Sequence, residues 1–387
     1  MSEKTQDPFA VPGWIDRLGA SVEHHPGLWK RLGNLETSML DEHVEHIAIE
    51  APIYVCGLAR SGSTILLEIL AEHADTASHA YRDFPLVYTP VFWNRFLDRA
   101  QSRPAAAVER AHGDGIEVTP DSPEAVEEVL WAGFFPHLHR PGVSDVLSAV
   151  HEAPAFERFY REHLRKLLWL RGGRRYLAKG NYNTTRIDFL LRLFPDARFI
   201  VPIREPVAHF ASLVRQHLRF SERHREDPRA RRYMRRLGHF EFGLDRRAVH
   251  TGDERAAERI REAWAAGRDA EGYARSWSDV YRYVADRLDA SPSLREAVLV
   301  VRHEVLCTRP EETLRRIFEH CRLPYDDATI ARASAHVRRQ PGLPAANDDA
   351  GAEAEEVRRL TAATAARFGY PAEAARHEAL RIEALYA

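Results

Sequence analysis

The stretch YVCGLARSGSTILLEIL, residues 54–70, constrains the fold more than any other part of the chain. The apolar run PIYVCGL, bounded by Pro52 and Gly57, reads as a buried strand. STILLEILAEH follows with helical periodicity, so the segment predicts strand, glycine turn, helix. Its turn nearly matches the phosphate-binding pattern G-x-x-x-x-G-K-[ST]. Gly57 and Gly62 take the glycine positions and Thr64 the hydroxyl position, but Ser63 stands where the lysine belongs, and Arg60 lies three residues earlier. The N–H groups of such a turn, with the dipole of the helix it opens, cradle an anion, and Ser61, Ser63 and Thr64 can add hydroxyls. Without the lysine the reach to a β/γ-phosphate pair is lost. No apolar strand ending in Asp stands at a sensible distance to hold the bridging metal.

A second cluster lies at 176–212. RYLAKGNYN predicts a strand and loop, TTRIDFLLRLF a helix stopped by Pro195, and ARFIVPIR another buried strand. EPVAHFASLVRQHL then opens a helix with Pro206 in its first turn. REAVLVVRHE and PEETLRRIFEHC repeat the strand–helix order, and this alternation predicts a parallel sheet with crossover helices. Arg204 falls where the carboxyl edge of the sheet meets a helix, the place where open α/β sheets bind ligands. Ser212 is eight residues on, about two helical turns down. Between these pieces, residues 100–150 contain SPEAVEEVLWAGFF, expected as a helix capped by Ser122. Residues 215–236 carry nine arginines and three acids, and a solvated face explains them more simply than an anionic acceptor such as an acidic glycan.

Bulk properties exclude several classes. Formal net charge is −2, so no global field points to nucleic acid. No run approaches the ~20 apolar residues of a membrane span, and the amino terminus lacks a signal-peptide pattern. Cys56, Cys307 and Cys321 are too scattered for a zinc knuckle or redox pair; with the preceding signals they imply a cytoplasmic protein. Only four of the 55 basic side chains are lysines, so a lysine in an ordered motif such as Lys179 in LAKGNYN suggests a need for a compact ammonium. Asn181 and Asn183 beside it read as loop formers.

GLARSGSTILLEILAEH and FPDARFIVPIREPVAHFAS together resemble the two cofactor motifs of sulfotransferases that use 3′-phosphoadenosine-5′-phosphosulfate. Ala59-Arg60-Ser61-Gly62-Ser63-Thr64 is similar to the family's [PA]-[KR]-[ST]-G-[ST]-[ST]. Arg204, Pro206 and Ser212 follow its second motif, with Glu205 in place of the usual Asp or Asn. A weaker likeness lies around VVRHEVLCTRPEETLRRIFEHCRLP, where Val305 replaces an Asp. The resemblance implies a three-layer α/β fold like that of P-loop NTPases, a central parallel sheet flanked by helices, with helical insertions. One domain would span 1–387, with a core at about 50–325, a helical N-terminal extension 1–50 and a helical C-terminal region 326–387.

It also implies roles. Arg60, Ser61, Gly62, Ser63 and Thr64 would hold the 5′-phosphosulfate, and Arg204 with Ser212 the 3′-phosphate. Arg60 would also act near the phosphosulfate bridge, where many members carry lysine. Transfer of the sulfuryl group would go by in-line displacement, without a metal, to a hydroxyl or amine acceptor, a small molecule or glycan, with the 3′,5′-bisphosphate as product. Lys179 would contact the sulfuryl group or acceptor. The base that takes the acceptor proton is expected in HAYRDFPLVYTP, at Asp83 with His79 next, and His217 as a more distant alternative. An ATP-dependent phosphotransferase and a non-catalytic nucleotide-binding protein are the competing readings, and the oligomeric state is open.

Overall fold

A computed structural model describes residues 11–100, 107–339 and 351–370. The rest of the expected terminal extensions, residues 1–10, 340–350 and 371–387, lies outside the described residues, as does 101–106. Five parallel strands form the central sheet: β1 (Ile53–Val55), β2 (Thr76–Ala77), β3 (Arg175–Lys179), β4 (Arg198–Ile203) and β5 (Val298–Arg302), in the order β2-β3-β1-β4-β5. All run the same way because helical crossovers separate them. Side-chain alternation splits the sheet between two apolar layers. Ile53, Val55, Leu177 and Ile200 pack with helices Ser63–Ala71, Pro310–His320 and Asp327–Arg339. Tyr54, Tyr176, Phe199 and Val201 pack on the opposite face with helices Pro154–Arg171, Ile187–Leu193 and Asp269–Ala290. The result is a three-layer α/β architecture of the P-loop type.

Register positions the site. Val55, the last residue of β1, pairs with Lys179 on one side and Ile200 on the other. The glycine turn that leaves β1 therefore begins level with the end of β3. At the end of β4, Ile203 pairs with Arg302, which puts Arg204 and His303 at the same edge.

Two expectations change outside the sheet. The helix read from Ser122 starts only at Glu128 and runs to Phe134. Ahead of it the chain is held extended by a bridge between Ala80 and Pro123, and the Glu124 N–H donates to the His79 carbonyl at 3.0 Å. The Ser122 hydroxyl accepts from the Thr119 N–H at 3.0 Å. The arginine-rich segment covers the end of the helix Pro206–Glu226 and most of the helix Pro228–Leu237, and the second of these docks the helix Gly13–His24. Arg232 and Arg236 grip Asp16 at 2.8 and 2.6 Å, and Arg231 pairs with Asp245 at 2.6 Å. Much of this basic charge is thus spent inside the fold.

Candidate active site

The turn between β1 and its helix needs both glycines. A Cβ at Gly57 would stand 2.9 Å from the Pro202 carbonyl oxygen and 3.0 Å from Ser61 Oγ. Gly62 has φ +99° and precedes the helix Ser63–Ala71, and a Cβ there would meet His303 Nδ1 at 2.7 Å. Between them Arg60 takes φ +70°, a left-handed conformation that costs a non-glycine residue about 1 kcal/mol or more. Two residues hold it there. Arg204 donates to the Arg60 carbonyl at 3.3 Å, and His209 Nε2 lies 2.7 Å from the Ala59 carbonyl. Burial, only partly offset by that bond, lowers the His209 pKa to about 3, so it acts as a neutral donor. The first-turn N–H groups of the helix have no intrahelical acceptor and face outward as the cradle.

Arg204 and Ser212 converge on this turn. Arg204 is 8 % exposed, and its Nε has no hydrogen-bond partner. Arg60 Nε donates to Ser212 Oγ at 3.2 Å, so a single side chain spans the glycine turn and the serine two turns down the Pro206–Glu226 helix. Burial and then the neighbouring Arg60 depress the Arg204 pKa. An unpaired, desolvated guanidinium beside another arginine is the electrostatic signature of an anion site.

A third arginine joins them that sequence reasoning missed. The hairpin formed by Val108–Glu109 and Glu117–Val118 carries Arg110 to the turn, where it donates to Thr64 Oγ1 at 3.3 Å. Asp114, at the tip of the hairpin, accepts from Arg110 at 2.9 and 2.5 Å and from Arg60 at 2.7 Å. Burial alone would raise the pKa of this carboxyl, but the two arginines hold it far below the usual range.

Beyond Thr64 the cleft changes character. Lys179 Nζ donates to Thr64 Oγ1 at 3.1 Å. Burial lowers its pKa; Glu124 and Glu241 oppose the shift. Glu124 lies among Lys179, His239 and the Tyr81 phenol, which outweigh burial and keep it a carboxylate. Glu241 accepts from Asn181 at 2.5 Å and lies 3.6 Å from His239 Nδ1. Although burial disfavours the charged ring, Glu241 leaves the His239 pKa raised. His239 is therefore protonated more readily than a free histidine, with the carboxylates of Glu124 and Glu241 beside it.

The structure corrects the expectation for Asp83 and His79. Asp83 is fully buried and bonded by Arg171 (2.7 Å), Asn94 (2.8 Å), the Ala80 N–H (3.0 Å) and His79 (3.0 Å). Burial would raise its pKa, yet His79 and Arg171 draw it down to about 2. His79 is equally buried, with its other ring nitrogen 3.2 Å from His163. Both side chains are enclosed by these protein partners. His217 lines a different cavity, of about 520 Å³, whose walls include none of the turn residues. Ser61 is fully buried and its N–H donates to the Leu58 carbonyl at 3.2 Å, which helps shape the turn.

A parallel sheet whose central strand delivers a glycine cradle among three arginines defines an anion-binding α/β protein of the P-loop type. The chain matches the sulfotransferase family over residues 52–251, a span that contains every residue of this cleft except His303. It belongs to the sulfotransferase family, whose chemistry is sulfuryl transfer. Among solved structures it is similar to sulfotransferase STF1 of Mycobacterium tuberculosis H37Rv, at 17% identity over 89% of this chain and 86% of that one, TM-score 0.44. It is also similar to sulfotransferase STF9 of Mycobacterium avium, at 16% identity over 87% and 82%, TM-score 0.48. A sulfotransferase of Alicyclobacillus acidocaldarius shares 15% identity over 83% and 94%, TM-score 0.38. No curated protein matches the chain. Among the described residues no helix is long and apolar enough to cross a membrane.

Proposed function

We propose that the protein transfers a sulfuryl group from 3′-phosphoadenosine-5′-phosphosulfate to a hydroxyl or amine acceptor by in-line displacement. One observation carries this reading: Arg60 Nε lies 3.2 Å from Ser212 Oγ, so two anion positions, the glycine cradle and the Arg204–Ser212 pair, adjoin across one side chain. That pattern suits a nucleotide with anions at both its 5′ and 3′ ends. The unpartnered buried Nε of Arg204 supports the fit, because an incoming phosphate would supply the acceptor it lacks.

When bound, the donor supplies an activated sulfuryl group on its 5′-phosphate. The N–H groups at Gly62, Ser63 and Thr64 would hold that end, with Arg60 beside them, while Arg204 and Ser212 hold the 3′-phosphate. Ser61 keeps the cradle in shape. Lys179, 3.1 Å from the Thr64 hydroxyl, stands between cradle and acceptor side and offsets negative charge that builds there. Glu124 is the base that takes the acceptor proton, the role first expected of Asp83. The acceptor is a small molecule or glycan. The free thiols Cys56 and Cys321 are buried, which suits a cytoplasmic protein working as one α/β unit.

Thermal stabilisation by adenosine 3′,5′-bisphosphate against Mg-ATP tests the reading. The bisphosphate should raise the melting temperature more than Mg-ATP at equal concentration. A larger response to Mg-ATP would favour a phosphotransferase, for which Ser63 leaves no cradle lysine.

A further inference from the structure

We infer that Arg110 is a third donor-binding arginine, and that Asp114 occupies the donor's anion position until the donor displaces it; this rests on the sulfotransferase reading. The hairpin loop, between the strands Val108–Glu109 and Glu117–Val118, is fixed on the helix that carries Ser212. Gln216 Nε2 donates to the His112 carbonyl at 2.9 Å, Arg219 donates to the Ala111 carbonyl at 2.9 Å, and the His112 ring packs between Phe220 and Phe242. Arg110, only 7 % exposed, is therefore delivered to Thr64 by a docked scaffold rather than by a flexible surface arm.

Asp114 sits between Gly113 at φ +60° and Gly115 at φ +75°, so its carboxylate is presented by a turn with a left-handed residue on each side. One carboxylate oxygen takes N–H groups from both Arg60 and Arg110 at 2.7 and 2.5 Å, and the other takes Arg110 Nε at 2.9 Å. A guanidinium fork from Arg110 and a second guanidinium N–H from Arg60 on one oxyanion is how arginines hold a phosphate or sulfate. The cations explain why something must stand there. Arg110 disfavours the charge of Arg60 and both disfavour that of Lys179, and Asp114 is the counterion that relieves the two arginines. A phosphosulfate, with two negative charges and more acceptor oxygens, satisfies the same forks better than a monoanionic carboxylate. Displacement of Asp114 frees Arg110 to bind the donor's 5′ end from the side opposite the glycine cradle.

The test is calorimetric titration of adenosine 3′,5′-bisphosphate into the wild type, Asp114→Asn and Arg110→Gln. Removing the competing charge should tighten binding about tenfold, and removing the guanidinium should weaken it about tenfold or more. Unchanged or weaker binding by Asp114→Asn would overturn the inference and make Asp114 a strut for the arginines. Hydrogen exchange on the wild type gives a second readout that needs no variant. Bisphosphate should speed exchange at the Gly113–Gly115 N–H groups, whereas a strut predicts slower exchange. Failure of the sulfotransferase reading looks different: neither the wild type nor Asp114→Asn would bind the bisphosphate at all.

Discussion

Replacing Arg204 by alanine should affect binding and folding to very different extents. In the free protein the guanidinium is buried, and among the described residues its Nε has no partner and its hydrogen bond is the 3.3 Å contact to the Arg60 carbonyl. Burial and Arg60 oppose its charge, while Glu304 favours it. Losing one ordinary hydrogen bond costs about 1 kcal/mol, and relief of a desolvated charge returns a similar amount. The melting temperature without ligand should therefore move by only about 2–3 °C. Binding should fall steeply. A forked arginine–phosphate contact comprises two charge-assisted bonds at about 1.5–3 kcal/mol each, so about 3–6 kcal/mol, or 10²–10⁴ in Kd, is lost. The loss should be confined to the 3′ end. Titration of adenosine 3′,5′-bisphosphate and of 5′-AMP into both proteins reads this directly: the wild type should prefer the bisphosphate strongly, and Arg204→Ala should show almost no preference. A preference surviving within about threefold would refute the 3′-phosphate assignment, and a collapse of the melting temperature would show Arg204 to be a structural strut.

Two further outcomes separate chemistry from architecture. Glu124→Gln should lower kcat by about 10²–10⁴ while bisphosphate affinity is retained, since the carboxylate is proposed to act on the acceptor proton and not on the donor; stopped-point assays with calorimetry on the same sample check this. Asp83→Asn should instead lower stability, by about 3–5 kcal/mol in urea unfolding, because Arg171 loses its buried carboxylate partner. Asp83 and Glu128 both have pKa values drawn down to about 2 in the folded chain. Their contribution is full above the ordinary carboxylate range and is lost as pH falls toward 2, so acid titration followed by circular dichroism should unfold the protein across that window.

The parts of the site legible in the sequence are those that chemistry forces to be contiguous. A cradle needs its glycines, hydroxyls and helix start within eight residues, and Arg204 with Ser212 lies on one strand–helix junction. Lys179 stood out because lysine is rare here. The same rarity marks Lys166, which the structure buries in an ion pair with Glu36 at 2.9 Å. Scarcity therefore flags a need for an ammonium, not where it is used. Glu124 was hidden because an acidic residue after Ser-Pro resembles helix first-turn charge. Pairing with a distant segment, through the bridge between Ala80 and Pro123 and the Glu124 N–H bond to the His79 carbonyl, keeps that stretch extended. Arg110 and Asp114 have i,i+4 spacing, which reads as a surface pair until docking on the helix of Ser212 places them over the cradle. Asp83 was misjudged for the converse reason: Asn94 and Arg171, farther along the chain, both take Oδ1 while His79 and the Ala80 N–H take Oδ2, and no local pattern announces the first pair.

The most direct test of the account is product identity under turnover. Protein incubated with 3′-phosphoadenosine-5′-phosphosulfate and a panel of hydroxyl and amine acceptors should release adenosine 3′,5′-bisphosphate with a sulfated product, resolved by mass. Release should fall in Arg204→Ala and nearly vanish in Glu124→Gln. Formation of ADP from Mg-ATP with a phosphorylated acceptor, and no bisphosphate from the phosphosulfate donor, would contradict it.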